Sequence, residues 1–289
     1  MRSWLFTPAT GGERLKKAFR SAADAVIVDL EDAVAFSEKD SARAAAGTCL
    51  AELDGKRPAV YLRVNEQGSP WYRADMEMAV RSGFDGVMLP KSHSGDDIQR
   101  AEELLRSLGA GPETFALVPL IESAAGVVHA EEIAEAGAFV RQLAFGSLDF
   151  LLDLGGRSTD TGAELLYARS KLALASRAAG KEGPVDAVFP DFRNDEGLRA
   201  DTLLSRALGF QGKLLIHPRQ IPVVNEAFAP SGEEIQLALE ITEAFRAAEA
   251  EGKGAIQVRG KMVDQPVYRK NQQLLEQARL FGLLAEEAK

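Results

Sequence analysis

Eight short apolar runs, rich in branched side chains and bounded by turn residues, recur between Trp4 and Ile216. They are Trp4–Thr7, Ala25–Asp29, Ala59–Val64, Gly86–Pro90, Ala116–Ile121, Gln142–Phe145, Asp186–Phe189 and Lys213–Ile216. Most of them are continuously apolar and do not alternate with polar residues. This pattern is typical of parallel strands that are covered on both faces.

Helical patterns lie between these runs. In Asp96–Leu108, for example, Ile98, Ala101 and Leu105 fall on one stripe. Similar segments are Gly12–Ser21, Trp71–Ser82, Leu165–Ala179 and Leu198–Leu208. Repeated alternation of strand and helix predicts an α/β fold, a (β/α)₈ TIM barrel, with a doubly wound open sheet as the alternative.

Beyond His217 and Pro218 the pattern turns helical. Ser231–Glu251 and Val267–Leu284 read as helices, separated by a break at Gly252–Gly254. The chain is therefore divided into a catalytic barrel over residues 1–225 and a C-terminal helical extension over residues 226–289. The extension is longer than an eighth barrel helix requires, which predicts a role in oligomer contacts or in covering an active site.

The composition limits the classes of partner that the protein is expected to bind. The 289 residues carry a formal net charge of −9, which argues against nucleic acid or an acidic membrane as the main partner. Cys49 is the only cysteine, so neither an internal disulfide nor a cysteine-based zinc site can form, and it reads as a small buried residue. No apolar stretch of about 18 residues and no signal-peptide pattern occurs, so we expect a cytoplasmic protein.

The candidate catalytic residues lie where the apolar runs end. In a barrel of this kind, catalytic groups come from the carboxyl ends of the strands and the loops that follow them. Polar or ionisable residues occur at nearly all of these ends: Thr7, Asp29, Glu31, Asp32, Arg63, Asn65, Lys91, Glu122, Asp149, Asp191 and His217. Such groups cost desolvation unless they are paired or used, so their concentration predicts an enzyme.

Glu122 and Asp149 follow consecutive predicted strands. Two carboxylates suit Mg²⁺, which takes one or two protein carboxylates and completes its octahedron with water and substrate oxygens. The alternative is that either carboxylate forms a structural salt bridge with Arg63 or Lys91. Spacing alone leaves both interpretations open.

Arg63 offers a planar fork of donors suited to a carboxylate or carbonyl oxygen. It could instead pair with the acidic cluster of Asp29, Glu31 and Asp32, and the two roles are compatible. We expect that cluster to support the site by orienting Arg63 and Lys91 or by accepting from metal-bound water. His217 is a candidate base or, equally, a structural residue.

Ordered motifs across nearly the whole chain resemble the citrate lyase beta-subunit-like branch of the HpcH/HpaI aldolase family. That branch consists of acyl-CoA lyases within the phosphoenolpyruvate/pyruvate barrel superfamily. The resemblance rests on RSWLFTP from Arg2, ADAVIVDLEDAV from Ala23, LRVN from Leu62, LPK from Leu89, LIES from Leu120, FGSLDF from Phe145, KLLIHPRQI from Lys213 and GKMVD from Gly260.

The resemblance implies residue roles. Glu122 and Asp149 would bind Mg²⁺, and Arg63 would contact the substrate carbonyl and carboxylate. The family builds its site between subunits, which implies a homo-oligomer, a trimer or hexamer, in which Asp264 reaches a neighbouring barrel as acid/base. Without the resemblance, Asp264 reads as a turn or cap residue before Pro266.

The implied reaction is cleavage of a 3-hydroxyacyl thioester, of the citryl-, citramalyl- or malyl-CoA type, into acetyl-CoA or an analogue and a 2-oxo acid. Alternatives are a malate- or citramalate-synthase-like condensation, a thioesterase, a CoA-independent aldolase, or a subunit of a citrate lyase complex that needs carrier partners.

Two positions depart from the family pattern. Ala9–Gly12 stands where many relatives have a Gly-Asn-Arg-Pro-like loop, although Pro8, Arg14 and Lys17 remain as candidate substrate and CoA contacts. Leu148 stands where glutamate is common before the metal aspartate. The second change indicates a subgroup with a different acyl or oxo acid.

Overall fold

The chain divides into two compact units, Met1–Asn225 and Glu226–Lys289. A computed structural model describes residues 1–53, 55 and 57–285, so residues 286–289 of the predicted extension lie outside the described part. Within that part, no helix is long and apolar enough to cross a membrane.

The first unit is a closed barrel of parallel strands in chain order. The strands are β1 Ser3–Pro8, β2 Ala25–Asp29, β3 Ala59–Arg63, β4 Gly86–Leu89, β5 Ala116–Ile121, β6 Ala144–Phe145, β7 Val185–Asp186 and β8 Gly212–Leu215. β1 pairs with both β2 and β8, which closes the sheet. The predicted TIM barrel is confirmed, and the alternative prediction of an open, doubly wound sheet was wrong.

Helices follow the strands. They are α1 Gly12–Phe19, α2 Lys39–Ala51, α3 Tyr72–Arg81, α4 Gly95–Ser107, α5 Ala124–Val128, α6 Ala130–Glu135, α7 Ser147–Leu154, α8 Leu166–Ala178, α9 Asp195–Leu208 and α10 Gln220–Phe228. Cys49 on α2 is buried, as predicted. Helix α4 begins with a capping box, in which Ser94 and Asp97 satisfy each other's backbone donors.

The apolar side chains that fill the barrel come from all eight strands. Trp4 and Tyr61 pack with ring centroids 4.7 Å apart. Close approach of β4 and β5 requires Gly86, because a Cβ there would lie 2.2 Å from the carbonyl oxygen of Ala116. Burial of each large apolar side chain contributes about 1.5–3 kcal/mol.

Strand β7 is the poorest prediction in the barrel. Apolar residues predicted a strand over Asp186–Phe189, whereas the ladder contains only Val185 and Asp186. The side chain of Asp186 is fully buried and bonds Arg169 and Lys213. Val188 lines a cavity and packs against the barrel core without joining the ladder, so apolar character alone misplaced the strand.

The second unit is built from α11 Gly232–Ala250, an antiparallel hairpin of β9 Ile256–Val258 and β10 Lys261–Val263, and α12 Gln265–Leu280. The expectation of a wholly helical tail was therefore wrong. Arg259 and Gly260 form the tip of the hairpin with φ of 48° and 77°. Positive φ at both tip residues is the geometry of a tight two-residue hairpin.

A small core holds the second unit together. Ile241 and Phe245 of α11 pack with Val258, Val263 and Tyr268. The rings of Phe245 and Tyr268 stack with centroids 4.8 Å apart. The hairpin and the two helices therefore share one apolar cluster.

Candidate active site

A cavity of about 300 Å³ lies at the carboxyl ends of the barrel strands. Its charged residues are Asp29, Asp32, Arg63, Glu122 and Asp149, and its apolar wall includes Phe6, Leu120, Phe145, Val188, Leu214 and Ile216. The barrel therefore brings the predicted metal ligands, the predicted substrate-binding arginine and Pro8 into one pocket.

Arg63 ends β3 and is held from two sides. Its Nε and Nη2 donate to the two carboxylate oxygens of Asp29, each over 2.7 Å. Its Nη1 lies 3.0 Å from Glu31 and 3.3 Å from Asp32. Burial opposes the charged form, but Asp29 and the other acids outweigh it and raise the pKa of Arg63. The guanidinium stays charged, and its orientation is fixed.

Below the guanidinium lies an aromatic ring. The Cζ atom of Arg63 is 5.0 Å from the centroid of the Phe6 ring. A cation over an aromatic face is attracted by the ring quadrupole. The acidic cluster therefore pairs with Arg63, as the alternative interpretation predicted, while Arg63 still lines the cavity.

Glu122 follows β5 and is 5% exposed. Its Oε1 accepts a hydrogen bond of 2.8 Å from the backbone N–H of Lys91. Burial raises the pKa of Glu122 to about 8, and the negative charges of Glu31 and Asp149 add to the rise. In the described part of the chain, neither Glu122 nor Asp149 forms a salt bridge, so the structural ion pair predicted as an alternative is absent.

Asp149 lies in the first turn of α7 and is exposed. Gly146, to which the sequence alone assigned no role, packs closely against Glu122. A Cβ at Gly146 would come within 2.8 Å of Glu122 Oε2 and 2.7 Å of its Cβ. The glycine therefore leaves room for the carboxylate beside the cavity, and the sequence signals for it were its place in the FGSLDF motif and directly before α7.

The donor set fits a hard divalent cation. No group of three or more His, Cys, Asp or Glu side chains is placed for metal binding among the described residues. Two carboxylates without a cationic partner share one cavity, however, and burial penalises the charge of Glu122. Mg²⁺ takes one or two carboxylates and completes its shell with water and substrate, so the residues fit it.

Glu31 and Lys91 do not line the cavity, but Glu31 contacts Arg63 and the backbone N–H of Lys91 bonds Glu122, both of which do. Lys91 Nζ lies 2.8 Å from Glu66 and 3.4 Å from Glu31. Lys91 also has a φ of 51°, a conformation that costs a non-glycine residue about 1–2 kcal/mol. Burial raises the pKa of Glu31 to about 7. These positions match the expected orienting role, which stays a prediction.

Family comparisons agree with this geometry. A family model described as HpcH/HpaI aldolase/citrate lyase matches residues 2–218, and one described as C-C bond lyase of the TIM-barrel fold matches residues 176–283. The chain belongs to the HpcH/HpaI aldolase/citrate lyase family. The resemblance found in the sequence is confirmed, and the protein is a carbon–carbon lyase.

Individual relatives are similar over almost their full length. The citrate lyase subunit beta of Leuconostoc mesenteroides is 36% identical over 290 residues, 99% of this chain and 96% of that protein. A (3S)-malyl-CoA thioesterase of Cereibacter sphaeroides is 37% identical over 263 residues, 91% of this chain and 89% of that protein.

Solved structures of the family show the same fold. The crystal structure of protein CitE from Mycobacterium tuberculosis, in complex with magnesium, acetoacetate and coenzyme A, has a TM-score of 0.81. It is 35% identical and covers 96% of this chain and 98% of that chain.

The remaining predicted residues of this family member lie elsewhere. Arg14 and Lys17 are exposed on α1 and do not line the cavity. Asp264 belongs to the second unit, where its Oδ1 accepts from the backbone N–H of Val267 and caps α12. This is the capping role that the residue pattern alone predicted. His217 stacks on Phe192 at 4.7 Å and does not line the cavity.

Proposed function

We propose that this protein is a Mg²⁺-dependent lyase that cleaves a 3-hydroxyacyl thioester, of the citryl-, citramalyl- or malyl-CoA type, into acetyl-CoA or an analogue and a 2-oxo acid. The observation that carries the proposal is one cavity with two unpaired carboxylates, Glu122 and Asp149, and the fixed cation of Arg63. Relatives named for citrate lyase and malyl-CoA chemistry support the substrate class.

In the cleavage, the hydroxyl group of the substrate loses its proton and the adjacent carbon–carbon bond breaks. The hydroxyl carbon becomes the carbonyl of the 2-oxo acid, and the released thioester enolate takes a proton on its α-carbon. Arg63 is oriented before the substrate arrives, so it donates to the oxo acid without reorganisation. Fixed donors of this kind commonly lower a barrier more than any other single effect.

Glu122 and Asp149 would hold the metal. Bound there, Mg²⁺ would supply Lewis-acid stabilisation of negative charge on the oxygen of the oxo acid. The apolar wall of Phe145, Val188 and Leu214 excludes water and strengthens these charge interactions.

Asp264 is the proposed acid/base, and it would act on the site of a neighbouring subunit in a homotrimer or hexamer. Support comes from the family resemblance and from its place at the start of α12, between the hairpin and the helix. Exposed Arg14 and Lys17 on α1 are the proposed contacts for CoA phosphates, and Pro8 is the proposed contact at the cavity. A related structure contains coenzyme A.

Purified protein should be assayed with citryl-, citramalyl-, malyl- and methylmalyl-CoA, in Mg²⁺ and in EDTA. We expect one thioester to give a 2-oxo acid and a shorter acyl-CoA in Mg²⁺, with loss of the reaction in EDTA. No turnover of any thioester by the metal-loaded protein would rule out a stand-alone lyase and favour a complex with carrier partners.

A thioesterase is the second candidate, because a relative of 37% identity carries that name. The same assay separates the two reactions by their products. Hydrolysis releases free CoA and the intact hydroxy acid, whereas cleavage releases an acyl-CoA and an oxo acid.

The shared site is tested by mixing subunits. An Asp264→Ala protein and an Arg63→Ala protein should each be inactive, and oligomers that contain both should recover part of the rate. Verified mixed oligomers without recovery would place both residues in the site of one subunit.

A further inference from the structure

Lys39, the first residue of α2, is only 4% exposed. Its Nζ donates to the backbone carbonyl oxygens of Leu30 and Glu31, each over 2.7 Å. No carboxylate of the described chain lies within ion-pair distance of it. Burial lowers the pKa of Lys39, and the nearby acids, Asp29 first among them, only partly offset this effect.

Aromatic rings cover another side of this ammonium. The centroids of the Phe36 and Trp71 rings both lie 5.8 Å from Lys39 Nζ. The two rings stack on each other with centroids 5.5 Å apart. Two carbonyl oxygens and two rings thus form a cage around Lys39, although a lysine that begins a helix reads as a surface residue in the sequence.

The carbonyls in the cage belong to the acidic loop, which we define as residues 30–32. Glu31 and Asp32 of this loop face Arg63 Nη1 at 3.0 and 3.3 Å. The other donors of Arg63, Nε and Nη2, are held by Asp29 of β2. One edge of the guanidinium is therefore fixed by a strand, and the other is fixed by a loop that Lys39 ties down.

We infer that Lys39 is a positioning residue, whose caged ammonium holds the acidic loop so that Glu31 and Asp32 orient Arg63 in the reaction cavity. The inference rests on the proposed function only for the identity of the substrate that Arg63 contacts. Buried hydrogen-bonding partners behind a catalytic group commonly change activity by about 10- to 100-fold.

Lys39→Met keeps a long apolar side chain and removes the ammonium. We expect kcat and kcat/KM to fall together by about 10- to 100-fold, because Arg63 acts on the reacting centre. Lys213→Met is the matched control, because Lys213 is also a buried lysine but lies outside the cavity. It should lower the melting temperature and leave turnover per folded molecule within about twofold.

Chemical restoration of the ammonium distinguishes the loss of this group from an effect of the substitution on folding. Lys39→Cys, made with Cys49→Ala and alkylated in denaturant with an aminoethyl group before refolding, restores an ammonium at nearly the same position. The same protein alkylated with a propyl group is the control. We expect the aminoethyl form to recover most of the rate and the propyl form to resemble Lys39→Met. Equal rates for the two forms would overturn the inference.

Crystal structures of the wild type and Lys39→Met provide a readout independent of activity. We expect the acidic loop to move and Arg63 Nη1 to lose Glu31, while the contacts with Asp29 persist. An unchanged loop and Arg63 would overturn the positioning role, even if the enzyme is active. A wild type that turns over no thioester, with a displaced loop in the variant, would instead refute the proposed function alone.

Discussion

Two groups of charged residues in the same barrel behave differently. The outer network consists of Arg169, Asp186, Asp201 and Lys213. Asp186 and Asp201 each contact both cations, at distances between 2.6 and 2.9 Å. Burial opposes ionisation of Asp201, but Lys213 and Arg169 outweigh it and lower its pKa. Two positive and two negative charges neutralise one another beneath the helices.

The edge cluster lies at the carboxyl ends of the strands and has more negative than positive charges. It contains Asp29, Glu31, Asp32, Arg63, Lys91, Glu122 and Asp149. Burial raises the pKa of Glu31 to about 7 and that of Glu122 to about 8. Arg63 and Lys91 pair with Asp29, Glu31 and Asp32, but Glu122 and Asp149 have no cationic partner among the described residues, whereas both carboxylates of the outer network have two.

The difference separates a structural role from a functional one. A buried ion pair in which every charge has a partner can be a part of the packing, and losing one partner destabilises the fold. Surplus carboxylates in a cavity are costly unless a ligand or metal supplies the missing positive charge. Burial and opposite charges occur in both groups, so charge balance is the feature that distinguishes them.

The largest expected effect is on stability in the outer network. Asp186→Ala leaves Arg169 and Lys213 buried with one carboxylate, and should lower the free energy of unfolding by about 3–5 kcal/mol. Urea denaturation measures this loss. Turnover per folded molecule should stay unchanged, and a variant of normal stability would contradict the structural role.

Glu122→Gln, in contrast to Asp186→Ala, should mainly lower activity. The amide keeps the shape but removes a metal-ligand charge, so activity in Mg²⁺ should fall at least about 100-fold, about 2.7 kcal/mol in barrier. The matched control is Glu102→Gln, because Glu102 is also buried but accepts from the backbone of Phe139 outside the cavity. Full activity of Glu122→Gln would refute the metal assignment.

Stability in EDTA should depend on pH through the edge cluster. The usual pKa of glutamate is 4.5, and Glu122 reaches about 8 in the fold. Between these values the folded protein keeps a proton that the unfolded chain has released, so the free energy of unfolding falls as pH rises through this window. Denaturation of the wild type and Glu122→Gln from pH 5 to 8 should show a shallower fall in the variant. Parallel curves would mean that Glu122 ionises normally.

The smallest effect concerns the backbone of Lys91. Lys91→Gly and Lys91→Ala lose the same ion pairs, but only glycine adopts a φ of 51° without strain. The glycine variant should be more stable by about 1 kcal/mol. Both keep the N–H that bonds Glu122, so equal melting temperatures would show that the backbone is not strained there.

Much of the barrel could be predicted, because buried parallel strands need continuous apolar residues. The predicted bounds of β2 and β5 equal the observed ones. Prediction failed at strand β7 and in the C-terminal extension, where residue type alone did not indicate the local structure. Apolar Val188 lines the cavity and does not extend β7, and the tight turn at Arg259 and Gly260 places a hairpin in the predicted helical tail.

At the site, local sequence identified the residues that end strands, because the carboxyl ends of parallel strands meet at one edge. Arg63, Glu122 and Asp149 were found in this way, and the barrel brings them into one cavity. No role was predicted for Gly146 or Lys39. Their importance depends on neighbours distant in sequence, Glu122 for the glycine and the carbonyls of the acidic loop for the lysine.

The sequence by itself determined the fold class and the set of ionisable groups at one edge of the barrel, because periodicity and strand ends are local properties. Only the tertiary structure decided how those groups pair. Arg63 pairs with Asp29, so Glu122 and Asp149 have no cationic partner among the described residues. Arg169 and Lys213, in contrast, neutralise Asp186 and Asp201. Pairing depends on distances across strands, which the order of residues along the chain does not contain.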